Sequence, residues 1–260
     1  ILLKSVFLIA IVAVAMIGVM VPNVFAEDRV IEYYKNLENP NPSWEIEVID
    51  ENQKILKIIG IEVMAFDIDK DLNKLYSINS RSNNYVDYRG IFVTNLSLDK
   101  IEKFIPVGET NVNDVKINHI TKKAYVTLYN EERILVIDIR NDTIIDVISL
   151  SEFDLKGERT PLYQIAPHSI SINELTNTVY FSYFFQNSDV KTVGGIGIID
   201  GNTDSIINAI HLDGFVGNLF VDNKLNKIFA GFSDNEETIQ LLTIDSNQNK
   251  IVNRLTFDNA

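Results

Sequence analysis

The chain is 260 residues long, 46% hydrophobic and 23% charged, with 36 acidic against 23 basic side chains, a formal net charge of −13 and no cysteine. That apolar content excludes a disordered or collagen-like chain, and the acidic balance excludes a surface that tracks phosphate backbones, so nucleic acid is not an expected partner. Without cysteine there are no disulfides, thiolate nucleophiles, Cys-ligated zinc sites or iron–sulfur clusters, and three histidines leave little for other metal chemistry.

From Val6 to Val21 the chain carries sixteen residues without a polar group, preceded by Lys4 and followed by Val24 and Ala26. A basic start, a short apolar run and small residues at this spacing describe a secretory signal over residues 1–26, cleaved after Ala26. The alternative is an uncleaved membrane anchor, because the run falls just short of the roughly 17 to 25 residues of a bilayer span. Either reading places the rest outside the cytoplasm, and the membrane is a partner only through an uncleaved N-terminus. Residues 27–43, ending in Asn39-Pro40-Asn41-Pro42, read as a polar lead-in and linker.

Residues 44–260 repeat. A β-branched run, a polar turn and a second apolar run occur five times, with turn-opening residues Asp50, Asn95, Asp138, Asp200 and Asp245 spaced 45, 43, 62 and 45 apart. Asp and Asn suit that place because their side chains bond their own backbone two residues on. Between these units lies a second pair of runs ending on an aromatic residue, at Tyr76, Tyr125, Tyr180 and Phe229. Seven residues before each aromatic stands Asp69, Asn118, Asn173 or Asp222, and three copies carry Asn three residues before it. Alternation bounded by such turns predicts antiparallel hairpins. Two hairpins per unit of about 45 residues give a four-stranded sheet with two apolar faces, which are buried only by stacking copies around an axis. The expected fold is therefore all-β, a β-propeller of four-stranded antiparallel blades. Five outer hairpins stand against four inner ones, so the partner of the first outer hairpin, Glu45 to Ile59, is expected beyond Ala260, with Val30 to Tyr34 as the alternative.

The run from Asn118 to Thr127, NHITKKAYVT, followed by Val136-Ile137-Asp138, resembles the YVTN-type β-propeller repeat, although Leu128 stands where that pattern has Asn. The resemblance extends over roughly residues 44 to 260. It implies an exported or surface-exposed propeller, usually of about seven blades, and it carries no common catalytic residues.

In such a propeller the turns inside hairpins lie on one face and the longer crossings on the other. The crossings are 79–90, 130–133, 184–195 and 233–238 within blades, and 151–167 between blades. Binding residues concentrate on loops held by a rigid scaffold, which makes Tyr85, Tyr88, Arg89, Arg159, Tyr163 and His168 the candidate binding residues, unless the aromatics merely pin the loops to the rim. His168 and His211, joined by Asp213, are the metal-site candidates, with a structural role the simpler reading. His119 falls in a turn on the opposite face and reads as solvated. Asp67-Ile68-Asp69-Lys70-Asp71-Leu72-Asn73 mimics the start of a calcium loop but lacks its Gly and its final Glu. Gly194-Gly195-Ile196-Gly197 lacks the third glycine of a phosphate cradle and reads as a flexible lead into a strand. Asn95-Leu96-Ser97 and Asn141-Asp142-Thr143 fit glycan acceptor triplets.

Two functions from different classes follow. The first is a secreted, non-enzymatic binding module without a cofactor that recognises a protein or glycan partner at the cell envelope through its loop-rich face; a purely structural envelope component is close to it. The second is a propeller enzyme of the lyase, lactonase or quinoprotein-dehydrogenase kind with a metal in the central channel, for which only His168 and Asp114 qualify by position.

Overall fold

The period-two alternation of the repeats forms strands throughout. The computed structural model describes residues 30–35, 44–49, 55–59, 65–79, 82–83, 86–87, 89–98, 100–108, 110–129, 131–151, 164–186, 191–236 and 238–257. The apolar segment 1–26 lies outside them. The chain divides into two compact units, Ile1–Val63 and Met64–Ala260.

The first unit contains an antiparallel sheet of β1 (Val30–Lys35), β2 (Trp44–Ile49) and β3 (Ile55–Ile59), in that order. The hairpin β2–β3 is the first outer hairpin expected from the sequence. β1 runs within the stretch read as a linker, pairing with β2 from Val30↔Ile49 to Lys35↔Trp44. Its Val-Ile-Glu-Tyr-Tyr composition favours a strand even without a turn marker beside it.

The second unit consists of four sheets of four strands, called blades here. Blade 1 is β4 (Ala65–Asp69), β5 (Lys74–Asn79), β8 (Gly90–Asn95) and β9 (Lys100–Pro106), with a short ladder of β6 (Ser82–Asn83) and β7 (Val86–Asp87) in its internal crossing. Blade 2 is β10 (Val112–Asn118), β11 (Lys123–Leu128), β12 (Arg133–Asp138) and β13 (Thr143–Ser149). Blade 3 is β14 (Ala166–Asn173), β15 (Thr178–Gln186), β16 (Thr192–Asp200) and β17 (Ser205–Leu212). Blade 4 is β18 (Gly214–Asp222), β19 (Lys227–Asp234), β20 (Ile239–Asp245) and β21 (Lys250–Phe257). All neighbours within a blade run antiparallel, and consecutive blades meet through β4, β10, β14 and β18.

The core lies between blades rather than within them. Alternate residues of one strand belong to different clusters: Ala124, Val126 and Leu128 of β11 pack toward blade 1, while Tyr125 packs toward blade 3. This two-sided burial is why the strands read as nearly continuous apolar runs. Inner strands β10, β14 and β18 each carry a bulge, between Val112 and Val115, Pro167 and Ile170, and Val216 and Leu219. Within the bulges Asp114 N and Ser169 N donate to Thr127 Oγ1 and Ser182 Oγ of the same blade, while amides on the inner edge are met by the blade before. Ile170 N donates to Asp114 Oδ2 at 2.9 Å and Leu219 N to Ser169 Oγ at 3.3 Å. A free inner edge is thereby closed by side chains.

Candidate binding face

The hairpin turns explain the repeat's polar letters. Asn73, Lys122, Asn177 and Asn226, three residues before each aromatic, all have positive φ between 50° and 56°. Asn tolerates this left-handed backbone best among residues with a side chain. Seven residues before the aromatic, Asp69, Asn118, Asn173 and Asp222 each accept a hydrogen bond from an amide of their own turn.

The same side chains join the blades. Asn118 Nδ2 donates to Asn177 Oδ1 of blade 3 at 2.6 Å, and Asn173 Nδ2 to Asn226 Oδ1 of blade 4 at 2.6 Å. At the junction of blades 1 and 2 the residue is Asp69, which cannot donate, and its partner is Lys122, with Nζ 2.9 Å from Oδ2. An ion pair replaces an amide pair at one place in a repeated interface. Burial pushes the Asp69 carboxyl up, but bonds from Leu72 N, Lys122 and His119 outweigh it and hold the group below its ordinary value.

Further out, the repeated aromatic hydroxyl reaches the outer turn of the following blade. Tyr125 OH donates to Asp204 at 2.6 Å, beside Lys123 Nζ, also 2.6 Å from Asp204. Tyr76 and Lys74 make the same contacts with Asp142, and Tyr180 OH lies 3.1 Å from Asn249. Asp142, Asp204 and Asn249 occupy equivalent left-handed positions with φ between 52° and 58°. Burial raises the Tyr125 phenol far above its usual range, and the Asp204 carboxylate raises it further, so the hydroxyl remains a donor. Burial also raises Tyr180, to about 12.

Two expectations change here. His119 is not merely solvated: its side chain is 40% exposed, yet Nδ1 lies 3.2 Å from Asp69 Oδ2 and Nε2 lies 4.0 Å from Glu174 Oε1 of blade 3. The calcium-like run is occupied by protein bonds. Asp67 Oδ2 accepts from Ile117 N, and the Lys122 ammonium sits between Asp69 and Asp71, at 2.9 and 2.6 Å, where a calcium ion would need to be.

On the loop-rich side, Tyr85, Tyr88, Arg159 and Tyr163 lie outside the described residues. Arg89 is half-buried before β8 in blade 1, and His168 is half-buried in β14 of blade 3, so the two belong to blades separated by blade 2. His168 and His211 sit at the same end of blade 3, as expected, but on β14 and β17, three ladder steps or roughly 14 Å apart. His211 Nδ1 is 2.8 Å from Tyr183 OH, and Asp213 is exposed beyond the end of β17. No group of three His, Asp or Glu side chains fit to hold a metal occurs among the described residues. Asp114 is likewise engaged, accepting from Val115 N, Ile170 N and Ser169 Oγ with Lys116 Nζ 3.6 Å away. Burial would lower the Lys116 amine, but Asp114 and Asp67 raise it, so it stays charged.

The glycine run is no flexible lead. Gly194, Gly195 and Gly197 are buried inside β16, opposite Phe184, Tyr183 and Phe181. A Cβ on Gly197 would stand 2.1 Å from the Phe181 ring and one on Gly195 2.5 Å from the Tyr183 hydroxyl. The missing side chains make room for the large rings on the neighbouring strand. Of the two glycan acceptor triplets, Asn95 is engaged, its Oδ1 accepting from Ser97 N and Leu98 N and its amide donating to Glu102.

Reasoning from the loops missed the aromatic residues at the strand ends beneath them. Tyr129 after β11, Phe184 in β15 and Phe215 in β18 form a chain of rings, with centroids 5.8 and 5.0 Å apart, that continues to His168 at 5.6 Å. All four are half-buried and come from blades 2, 3 and 4. Of the four, His168 is a candidate that the sequence already offers, whereas Tyr129, Phe184 and Phe215 stand at strand ends beside the crossings and carry no signal apart from being aromatic at such a place.

No protein-family model matches this chain, and no curated protein matches it. Among solved structures it is similar to hydrazine synthase of Kuenenia stuttgartiensis, with a TM-score of 0.61 and 17% identity over 83% of this chain and 60% of that one. The fold is a β-propeller. At that identity the likeness concerns the fold alone, and the aligned part spans less than two thirds of the synthase chain. Successive propeller blades account for the order of the four sheets, the packing of their inner strands and the burial of both faces of each middle blade.

Proposed function

We propose that this propeller is an extracytoplasmic binding module of the YVTN-type repeat kind, which recognises a protein or glycan partner at the cell envelope through its loop-rich face. The observation that carries the reading is the convergence of Tyr129, Phe184, Phe215 and His168, from three blades, on the end of the sheets where the long crossings lie. Rings gathered on a rigid scaffold offer contact area at low entropic cost. The turn end offers less to a ligand, because its repeated polar side chains are bonded to their own turns or to neighbouring blades.

Export rests on the sequence of residues 1–26 and is tested by fractionating cells that express the chain with its own N-terminus. Recovery of the full-length chain in the cytoplasm would refute it. The binding reading is tested by titrating the purified protein with envelope polysaccharides and envelope protein extracts, comparing the unaltered chain with Phe215→Ala. Specific turnover of a small substrate by the purified protein would overturn the non-enzymatic part.

A further inference from the structure

The three imidazoles of the chain are used differently. His119 is tied to Asp69, and His211 to Tyr183. Among the described residues the His168 Nδ1 is buried without a hydrogen-bond partner, and the ring makes an edge contact with Phe215. Buried polar atoms normally find a partner, and one that does not calls for an explanation. Burial lowers His168 from its ordinary value, with Asp114 opposing more weakly, so the ring is neutral at pH 7 and offers one donor and one acceptor nitrogen.

We propose that His168, Phe215, Phe184 and Tyr129 form a subsite for an uncharged sugar ring. The inference rests on the binding-module reading and names the class of ligand. Three features favour a neutral sugar. The net charge of −13 opposes anionic ligands, acidic polysaccharides included. Asp114, the carboxylate that acts on His168, is already matched by Lys116 Nζ at 3.6 Å and is not free to hold a cation. A sugar ring presents apolar C–H faces to aromatic rings and hydroxyls that both donate and accept, which is what a neutral imidazole beside three aromatic side chains can satisfy. Binding of such a ligand orders a site that the protein alone leaves with an idle imidazole.

The test follows the imidazole proton resonances of His168 by NMR in the whole protein while neutral oligosaccharides are added: cellohexaose, maltohexaose, mannohexaose and chitohexaose. Hexagalacturonate and a tyrosine- and proline-rich peptide serve as comparison probes. At least one neutral oligosaccharide should shift His168 and leave His119 in place. Phe215→Ala and Tyr129→Ser should each weaken that oligosaccharide about tenfold, as expected for the loss of one ring. Tyr129→Ser lies outside the buried core, so it keeps the test valid should Phe215→Ala fail to fold. If none of the four sugars moves His168 at millimolar concentration while the peptide does, the sugar proposal falls and the binding module stands. If none of the probes moves it and envelope extracts show no Phe215-dependent binding either, both fall.

Discussion

The two ends of the blades are built on opposite plans. At the turn end the same polar side chains recur at each described junction: the residue seven before the aromatic bonds the next blade's left-handed residue, and the aromatic hydroxyl bonds the next blade's outer turn. At the loop end the described side chains do not repeat in this way: the crossings differ in length, the aromatic row belongs to three blades in three different ways, and the His168 Nδ1 has no hydrogen-bond partner among the described residues. Repetition marks the parts that hold blades together, and its loss marks the parts released for other use. The comparison also explains a substitution inside the repeat. Where Asp69 replaces Asn, the partner at the left-handed position is a cation instead of an amide acceptor, so the pair changes together and the junction is kept.

The largest expected effect lies at the turn end. Asp204→Ala leaves the Lys123 ammonium and the Tyr125 hydroxyl, side chains largely hidden between blades 2 and 3, without their carboxylate. Breaking a buried pair from one side costs about 3 kcal/mol, read as a fall in the midpoint of chemical denaturation. Asp213→Ala, at the exposed loop end of the same blade, should change stability by less than about 0.5 kcal/mol. Equal effects would erase the contrast between the ends.

A second test exchanges one kind of junction for the other. Asp69→Asn alone and Lys122→Asn alone should each destabilise by about 2 kcal/mol, because each breaks the ion pair, leaving Lys122 with the exposed Asp71 alone or the buried Asp69 carboxylate without its cation. The double variant recreates the amide pair seen at Asn118 and Asn177, so it should recover more than half of the loss, giving a clear coupling energy in the double-mutant cycle. Strict additivity would mean that the pair is incidental. The same variants carry a pH signature. The folded-state value of Asp69 lies below its unfolded value, so its contribution is present above about pH 4 and is lost as pH falls through the folded value. The double variant should therefore lose stability less steeply below pH 4 than the unaltered chain.

Most of the turn end was legible in the sequence because its chemistry is local and repeated. Asp or Asn opening a turn and Asn three residues before an aromatic state a backbone conformation directly, and four copies in register gave the blades. β1 is the stretch Val30 to Tyr34 offered as the alternative partner of the first outer hairpin; it ranks second because it lacks the repeat's turn signature, and its pairing with β2 rests on β-branched and aromatic residues instead. The partners of Asp69, Asn118 and Tyr125 could not be read because each lies in the next blade, 50 to 80 residues on, and pairing across blades depends on packing rather than on spacing. For the same reason the glycines of β16 were mistaken for flexible chain: the rings that cover them belong to the neighbouring strand. The candidate loop residues were chosen by composition, whereas the described aromatic row is set by which strand ends meet.

The smallest effect concerns His168, and it separates the two ends most sharply. With Nδ1 buried and unpartnered, replacing the imidazole by an apolar group of similar size, His168→Leu, should leave stability at pH 8 within about 0.5 kcal/mol of the unaltered chain. The difference should appear on acidification. Burial holds the folded-state value of His168 below its unfolded value of about 6.5, so the unfolded chain takes up the proton first. Stability is then full above pH 6.5 and declines as pH falls from there toward the folded value. His168→Leu should remove that decline, and denaturation midpoints measured between pH 8 and pH 5 would show a flatter profile for the variant. A variant with the same slope as the unaltered chain would show that the imidazole is not held neutral by its burial, and would return His168 to the class of ordinary surface histidines.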